Sequence, residues 1–594
     1  MKNLIANMDD ILFVLEKQFK IHNYIKYVVD WKAFNSKAIK LALRSAKEFA
    51  VGELLPANKV GDEIGAEYLP GSGDVILPDS FEDIWNRLAE DGWIAMTEEP
   101  KLGGMGMPSL VAVGCSEYLT GANFAFMMYP GLARFVGRLL EVYGTKEQID
   151  TYVEELYSGR CGGTMCLTEP QAGTDVGAVE TVAKLWDNNK GSATKNPLYK
   201  LYGNKIFITN GEHSLTDNIV HPVLARIDHP DTPPGTRGIS LFLVPKYLPG
   251  DGKRNRVSCT GIEEKMGIHG NGTCSMSFDG ALGTLIGKPN EGMSIMFSMM
   301  NEARHMVALQ ALASASTAYE YALDYAKTRI QGRSIKDYKD HAAKSVAIIN
   351  HPDVRRMLME MKSYVEGMRS LVYYLSYCED MVYSCSWDES VEEQKWSGLI
   401  DLLTPLAKGF CTGYAVKVVD TAMQVYGGLG YMKDYPIEQL YRDIRITPIY
   451  EGTNGVQAMD FIMRQMGARG GMNALNLMAK IDETIKEAKL FIHDPDVPSL
   501  AIDVKSTMDL FAARLGEMMA MPIERTALLC TPMLDVAGHL VLAWMHLWRA
   551  TVGEEKHRIT AKYFIKNCLR RSYAQMSDAC FGDDSALDIK EKDF

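Results

Sequence analysis

The chain has 594 residues, 47% hydrophobic and 23% charged, with a formal net charge of −12. That length suggests three or four domains, and the balance of apolar to charged residues is that of a folded protein rather than a tail or linker. The acidic balance argues against a nucleic-acid surface, which carries a basic footprint. Near the start, Asp9, Asp10 and Glu16 interrupt the apolar residues, unlike a signal or transit sequence. No apolar stretch approaches the roughly 18–20 residues that cross a bilayer, so no transmembrane segment and a cytoplasmic location are expected. The 11 cysteines show no Cys-x-x-Cys pair and no zinc-spaced His cluster. They read as reduced, buried apolar residues, and no metal is expected.

From residue 2 to Gly144 the spacing predicts helices, as in Ile11-Leu12-Val14-Leu15 and Phe81-Ile84-Trp85-Leu88, with loops at Leu69-Pro70-Gly71-Ser72-Gly73 and Pro100-Lys101-Leu102-Gly103-Gly104. Between about Gly162 and Leu285 short β-like runs take over, including Lys205-Ile206-Phe207-Ile208-Thr209 and Ile239-Ser240-Leu241-Phe242-Leu243-Val244. Helical periodicity resumes near Gly292 and continues to Met466. Gly467-Ala468-Arg469-Gly470-Gly471 then reads as a hinge, since glycines weaken a helix. Beyond it, about 120 residues of amphipathic pattern predict four more helices. The expected organisation is mainly α within an α+β class: a helical domain over 1–160, a β domain over 161–287, a helical bundle over 288–466, and a helical extension over 467–594.

Two stretches carry chemistry. Leu167-Thr168-Glu169-Pro170-Gln171-Ala172-Gly173-Thr174-Asp175 joins an apolar run to a turn, which suits a strand end whose donors and hydroxyls meet a ligand. Its blander reading is a Pro/Gly turn with side-chain caps. Ile449-Tyr450-Glu451-Gly452-Thr453-Asn454-Gly455 sets a lone carboxylate among apolar, small and hydroxyl groups, where desolvation raises a carboxyl pKa toward that of a working base. The bland alternative is a loop Glu at a helix start, with Thr453 and Asn454 as capping residues. No Gly-x-Gly-x-x-Gly opens a helix after a strand, so a dinucleotide pocket of that kind is not expected.

Gly427-Gly428-Leu429-Gly430-Tyr431, Tyr435-Pro436-Ile437-Glu438-Gln439-Leu440-Tyr441-Arg442-Asp443 and Tyr450-Glu451-Gly452-Thr453 together resemble the acyl-CoA dehydrogenases, and the order of domains from about Lys32 to Met466 is similar. Lys265-Met266-Gly267-Ile268-His269-Gly270-Asn271, Leu102-Gly103-Gly104-Met105-Gly106 and the extension look like the long subgroup containing 3-methylthiopropanoyl-CoA dehydrogenases. The resemblance implies an FAD enzyme that turns an acyl-CoA into a trans-2-enoyl-CoA: Glu451 takes the α-proton and the β-hydrogen leaves as hydride to flavin N5. It implies flavin contacts from Met165, Leu167, Thr168, Gly173, Thr174, Phe207 and Thr209, with Phe207 where relatives often carry Trp. It assigns the adenosine end to a second subunit through Arg329, Gln331, Gln424, Gly427 and Gly428, and a further contact to Thr453, although Gly455 stands where relatives often carry Gln. Thr174, Arg304, Tyr450 and Gly452 are implied on the substrate side, and the Glu451 backbone N–H is implied in the oxyanion hole.

Some relatives carry the base on an earlier helix, but that position is Ala303 here. Glu302, one residue away, points about 100° elsewhere on a helix and reads as a structural or solvated charge. The implied electron acceptor is an electron-transfer flavoprotein, and the expected assembly is a homodimer whose extension covers the face used by shorter relatives to form tetramers. A short or medium acyl chain, such as 3-methylthiopropanoyl-CoA, is expected. The bulk of Phe124-Ala125-Phe126-Met127-Met128-Tyr129-Pro130 hints at this, though core packing explains that stretch equally well. The alternatives are an oxygen-using acyl-CoA oxidase and a non-catalytic CoA-binding or assembly protein.

Overall fold

Helices occupy most of the chain, in the order α1 (Met8–Phe13), α2 (Ser36–Phe49), α3 (Leu55–Ile64), α4 (Ser80–Glu90), α5 (Ser109–Ala122), α6 (Phe124–Tyr143) and α7 (Lys146–Tyr157). After the β region come α8 (Gly292–Thr328), α9 (Pro352–Cys385), α10 (Val391–Tyr426), α11 (Pro436–Ile444) and α12 (Asn454–Met459). The extension holds α13 (Met472–Lys489), α14 (Asp496–Met519), α15 (Ile523–Val552) and α16 (Glu555–Tyr563). The structure is a computed structural model and describes residues 4–186, 197–250, 252–385 and 391–594.

Residues 47–107 and 122–303 form one compact unit. A short hairpin, β1 (Glu67–Leu69) and β2 (Asp74–Ile76), pairs antiparallel where the sequence showed only a loop between helices. Gly73, at φ 78°, makes that turn possible. The main sheet contains β3 (Cys161–Gly163), β4 (Val182–Leu185), β5 (Leu198–Thr209), β6 (Asn218–Ile227), β7 (Ile239–Pro245), β8 (Val257–Ile262) and β9 (Thr273–Ile286). Its order is β3-β6-β4-β5-β9-β7, with β8 beside β9, and a further β6–β7 pairing returns the sheet on itself. Strand β7 is buried along its whole length, as its apolar run, interrupted only by Ser240, requires. Phe126 of α6 packs edge-on against Phe81 of α4 at 5.1 Å, and Phe124, Met128 and Tyr129 are buried beside it. Core packing therefore accounts for the Phe124–Pro130 stretch.

Residues 2–46, 108–121 and 304–594 form the second unit, so the compact units interleave along the chain. A buried ionic cluster explains the interleaving of the second unit. Arg369 of α9 donates to Asp10 of α1 at 2.5 Å and to Glu117 of α5 at 2.6 Å, while Arg549 of α15 also pairs with Asp10. Such charges stay in the interior only where partners surround them. A small hairpin, β10 (Ile330–Arg333) and β11 (Ser345–Ala347), follows α8.

The extension is built into this unit rather than appended to it. Gly538 of α15 lies so close to Phe410 of α10 that a Cβ there would come within 2.0 Å of the ring, and Trp544 Nε1 donates to Thr484 Oγ1 of α13 at 2.8 Å. By length and composition alone helix α15 is apolar enough to cross a bilayer, but 72% of its most apolar stretch is buried within the protein, so no clear transmembrane segment results, as the sequence suggests. Its hydrophobicity belongs to a core.

Candidate active site

In the first unit, the run carrying Met165, Leu167 and Thr168 leaves β3 and stays extended. Cys166 N donates to Pro222 O at 3.0 Å and Leu224 N to Cys166 O at 3.1 Å, so the run is paired with β6. Ile206 N then reaches Thr168 O at 3.0 Å and ties the run to β5. Leu167 is buried, while Met165, Thr168 and Thr209 are half-buried. Gly173 and Thr174 are exposed in the following turn, and a Cβ at Gly173 would meet nothing within 4 Å.

Phe207 interrupts β5. The pairing with β9 shifts between Lys205 and Ile208, Phe207 takes a left-handed φ of 57°, and its side chain is left 58% exposed. Asn210, also left-handed at φ 60°, is buried and donates to Met128 O at 2.9 Å. Left-handed non-glycine residues are strained and persist only where their surroundings over-determine them. Here the strain leaves an aromatic ring exposed on the strand that also carries the half-buried Thr209 and is tied to Thr168. An exposed ring, adjacent hydroxyls and an open glycine turn fit a flavin, whose ring has an apolar face and a hydrogen-bonding edge.

A buried ion pair sets the spacing of these two strands. Lys205 Nζ donates to Leu167 O at 2.9 Å and to Glu169 Oε1 at 2.7 Å. Burial pushes the Glu169 carboxyl up, but Lys205 and donors from Thr181 and Glu180 more than offset it and bring it down to about 2. The sequence did not single out this pair, although a lysine at an inward strand position was the available signal.

In the second unit, the chain leaves α11 through a tight turn, with Tyr450 N donating to Ile446 O at 3.2 Å. Glu451 and Gly452 follow at φ 56° and φ 82°, and α12 then begins at Asn454. Thr453 Oγ1 caps that helix by accepting from Val456 N at 3.4 Å, as the capping reading anticipates. A Cβ at Gly452 would lie 2.7 Å from Gln457 Nε2, so only glycine fits this left-handed position. Tyr450 donates its hydroxyl to Gln310 of α8. Desolvation raises the Glu451 carboxyl above its ordinary range, and the charges of Arg304 and Lys408 oppose it. Arg304 is buried and donates to Asp460 at 3.3 Å.

The remaining expected residues gather at one end of α8 and α10. Tyr325 and Tyr426 stack there at 4.2 Å, joining the two helix ends. Just beyond the stack, Arg329, Gln331, Gln424, Gly427 and Gly428 are all exposed, and Arg329 donates to Gln331 Oε1 at 3.0 Å. Glu302 of the first unit is engaged with Arg138 at 2.9 Å, in keeping with a structural charge.

Family profiles match the chain domain by domain. The acyl-CoA dehydrogenase N-terminal domain matches residues 41–160, the middle domain 164–281 and the C-terminal domain 290–467. A profile described as acetyl-CoA dehydrogenase C-terminal like matches 477–590. The 3-methylmercaptopropionyl-CoA dehydrogenase of Ruegeria pomeroyi is 35% identical over 546 residues, covering 91% of this chain and 89% of its own length. Among solved structures, an acyl-CoA dehydrogenase complexed with FAD from Bacillus anthracis superposes with a TM-score of 0.74 at 23% identity, covering 95% of this chain and 91% of the other. A chain described as electron transferring flavoprotein of Acidaminococcus fermentans gives 0.58 at 28% identity, covering 72% of this chain and 98% of the other. With every domain of the fold matched in order and a relative aligned over nearly its full length, the chain belongs to the acyl-CoA dehydrogenase family of FAD-dependent oxidoreductases.

Proposed function

We propose that the protein removes the α- and β-hydrogens of an acyl-CoA thioester to give a trans-2-enoyl-CoA, with Glu451 as the α-proton base. The supporting observation is the loop itself: a carboxyl raised by desolvation, held in a left-handed turn, beside a buried arginine. Raising a carboxyl makes its carboxylate a stronger base, which an α-proton of a thioester demands. Among the described residues, the Glu451 backbone N–H has no protein acceptor, so it is available to a thioester oxygen as negative charge develops there.

Bound FAD supplies the acceptor for the β-hydrogen. Met165, Leu167, Thr168, Gly173, Thr174, Phe207 and Thr209 would hold its ring and pyrophosphate side. Arg329, Gln331, Gln424, Gly427 and Gly428 lie exposed and would complete the site of a second copy, which makes the assembly a homodimer. The packing of α15 on α10 supports a covered face rather than a tetramer. An electron-transfer flavoprotein is the proposed electron acceptor. The name of the Ruegeria relative supports a short substrate such as 3-methylthiopropanoyl-CoA.

Glu451→Gln tests this reading, because the amide keeps the shape and removes the base. Dye-coupled turnover with acyl-CoAs from propanoyl to palmitoyl, methylthiopropanoyl included, should fall by roughly three orders of magnitude or more with FAD retained. Glu302→Gln should leave turnover nearly unchanged. If the effects were reversed, the base assignment would be wrong.

A further inference from the structure

One cation beneath the base loop is wholly enclosed. Lys408 lies on α10 within the run Leu402–Cys411, where Leu402, Leu403, Leu406, Ala407 and Phe410 are all buried, and none of its own surface is accessible. Its Nζ donates to Gly452 O at 2.6 Å and to Asn454 Oδ1 at 3.4 Å. Both acceptors are neutral, and the carboxylate whose charge acts on the ammonium is Glu451. A buried charge held by neutral groups is an expensive way to fill a helix interface. An apolar side chain would pack there at lower cost.

What the ammonium holds explains why it is there. Gln457 Nε2 donates to Glu451 O at 2.9 Å and, more weakly, to Gly452 O at 3.4 Å, while Thr412 steadies Asn454 by donating to its Oδ1 at 3.0 Å. Lys408 and Gln457 thus grip from inside the carbonyls of the two consecutive left-handed residues, at φ 56° and 82°. Released from that grip, Glu451 would relax toward the ordinary regions of backbone space and its carboxyl would swing away.

We infer that Lys408 is a positioning residue for the reaction: its ammonium pins the Gly452 carbonyl, locks Glu451 in its turn, and by its charge favours the ionised form of that carboxyl. This rests on the reading of Glu451 as the base. Two cations act on Glu451, Arg304 from α8 and Lys408 from α10. They are not equivalent, because Arg304 is paired with Asp460, which Arg464 also grips at 2.6 Å. Lys408 has no such anion among its hydrogen-bond partners, so its charge is directed at Glu451. Burial brings the Lys408 ammonium down to about 7, with Glu451 opposing the fall.

The test compares Lys408→Gln, Lys408→Met and Glu451→Gln as FAD-loaded enzymes, following kcat and KM across pH with one acyl-CoA. The glutamine variant keeps a donor without the charge, so the acidic limb of its profile moves to higher pH by about one unit. The methionine variant loses the grip as well, and its plateau kcat falls by roughly tenfold or more while KM changes little. A purely structural lysine would lower both plateaus without moving either limb, and coincident acidic limbs in the two variants and the unsubstituted enzyme overturn the inference. If Glu451→Gln keeps its turnover, the base reading has failed and this inference falls with it. If Glu451→Gln is inactive and the limbs coincide, only the role of Lys408 is lost.

Discussion

Replacing Asp10 by Asn probes the charge cluster that gathers the second unit. The amide keeps the shape and removes the anion shared by Arg369, at 2.5 Å, and Arg549. Burial alone would push the Asp10 carboxyl up, yet the charges of Arg549 and Arg369 hold it well below its ordinary value of 3.8. Removing one partner of a buried ionic cluster costs about 3–5 kcal/mol. Arg369 retains Glu117 at 2.6 Å and Arg549 retains Glu366 at 3.3 Å, so the lower end, about 3 kcal/mol, is the expected loss. For a unit of this size, an unfolding entropy of about 2.1 cal/mol/K per residue converts that into a melting temperature lower by roughly 4 °C. Calorimetry of the two proteins at neutral pH measures it. A carboxylate whose folded pKa is depressed stabilises above its unfolded pKa and loses that contribution as pH falls toward the folded value. The difference between the proteins should therefore hold down to about pH 4 and shrink below it. Equal melting temperatures at neutral pH would refute the argument that this anion binds the segments together.

Lys205→Met should leave Glu169 buried without its cation, lower stability by about 3 kcal/mol and loosen the strands bearing Thr168 and Thr209. The flavin-to-protein absorbance ratio after gel filtration should fall, and an unchanged ratio would detach this pair from cofactor binding. Arg329→Ala should weaken FAD retention while leaving the melting temperature without FAD nearly as it was, because its side chain is exposed and FAD stabilises only the fold that binds it. Undiminished flavin content would remove Arg329 from the pyrophosphate.

Much of the architecture was legible because long elements announce themselves. The inward runs of β5 and β7 and the apolar spacing of α8 carried the β-then-α order, and the hinge at 467–471 coincides with left-handed Arg469, Gly470 and Gly471. The β1–β2 hairpin escaped because three-residue strands carry almost no periodicity. The interleaving of α1 and α5 into the second unit escaped because it depends on Arg369, and a single buried charge in a helix looks like any solvated one until its partners are known. For the site, Glu451 stood out by its glycine and hydroxyl neighbours. Its supports did not: Lys408 and Gln457 act on backbone carbonyls, and a side chain that serves the backbone leaves no motif. A lone lysine in Leu402–Cys411 was the one trace.

The bond between Arg549 and Asp10 joins positions 539 residues apart, which gives it meaning during synthesis as well as in the finished protein. At translation rates of about 5–20 residues per second, α1 emerges roughly half a minute to two minutes before α15 exists to meet it. Until then the second unit lacks the helix that fills its centre, and the apolar faces of α9 and α10, once made, stay open to whatever surrounds the ribosome. Completion of this half of the molecule thus waits for α15, and a nascent chain stalled anywhere before it is a substrate for chaperones rather than a smaller working enzyme.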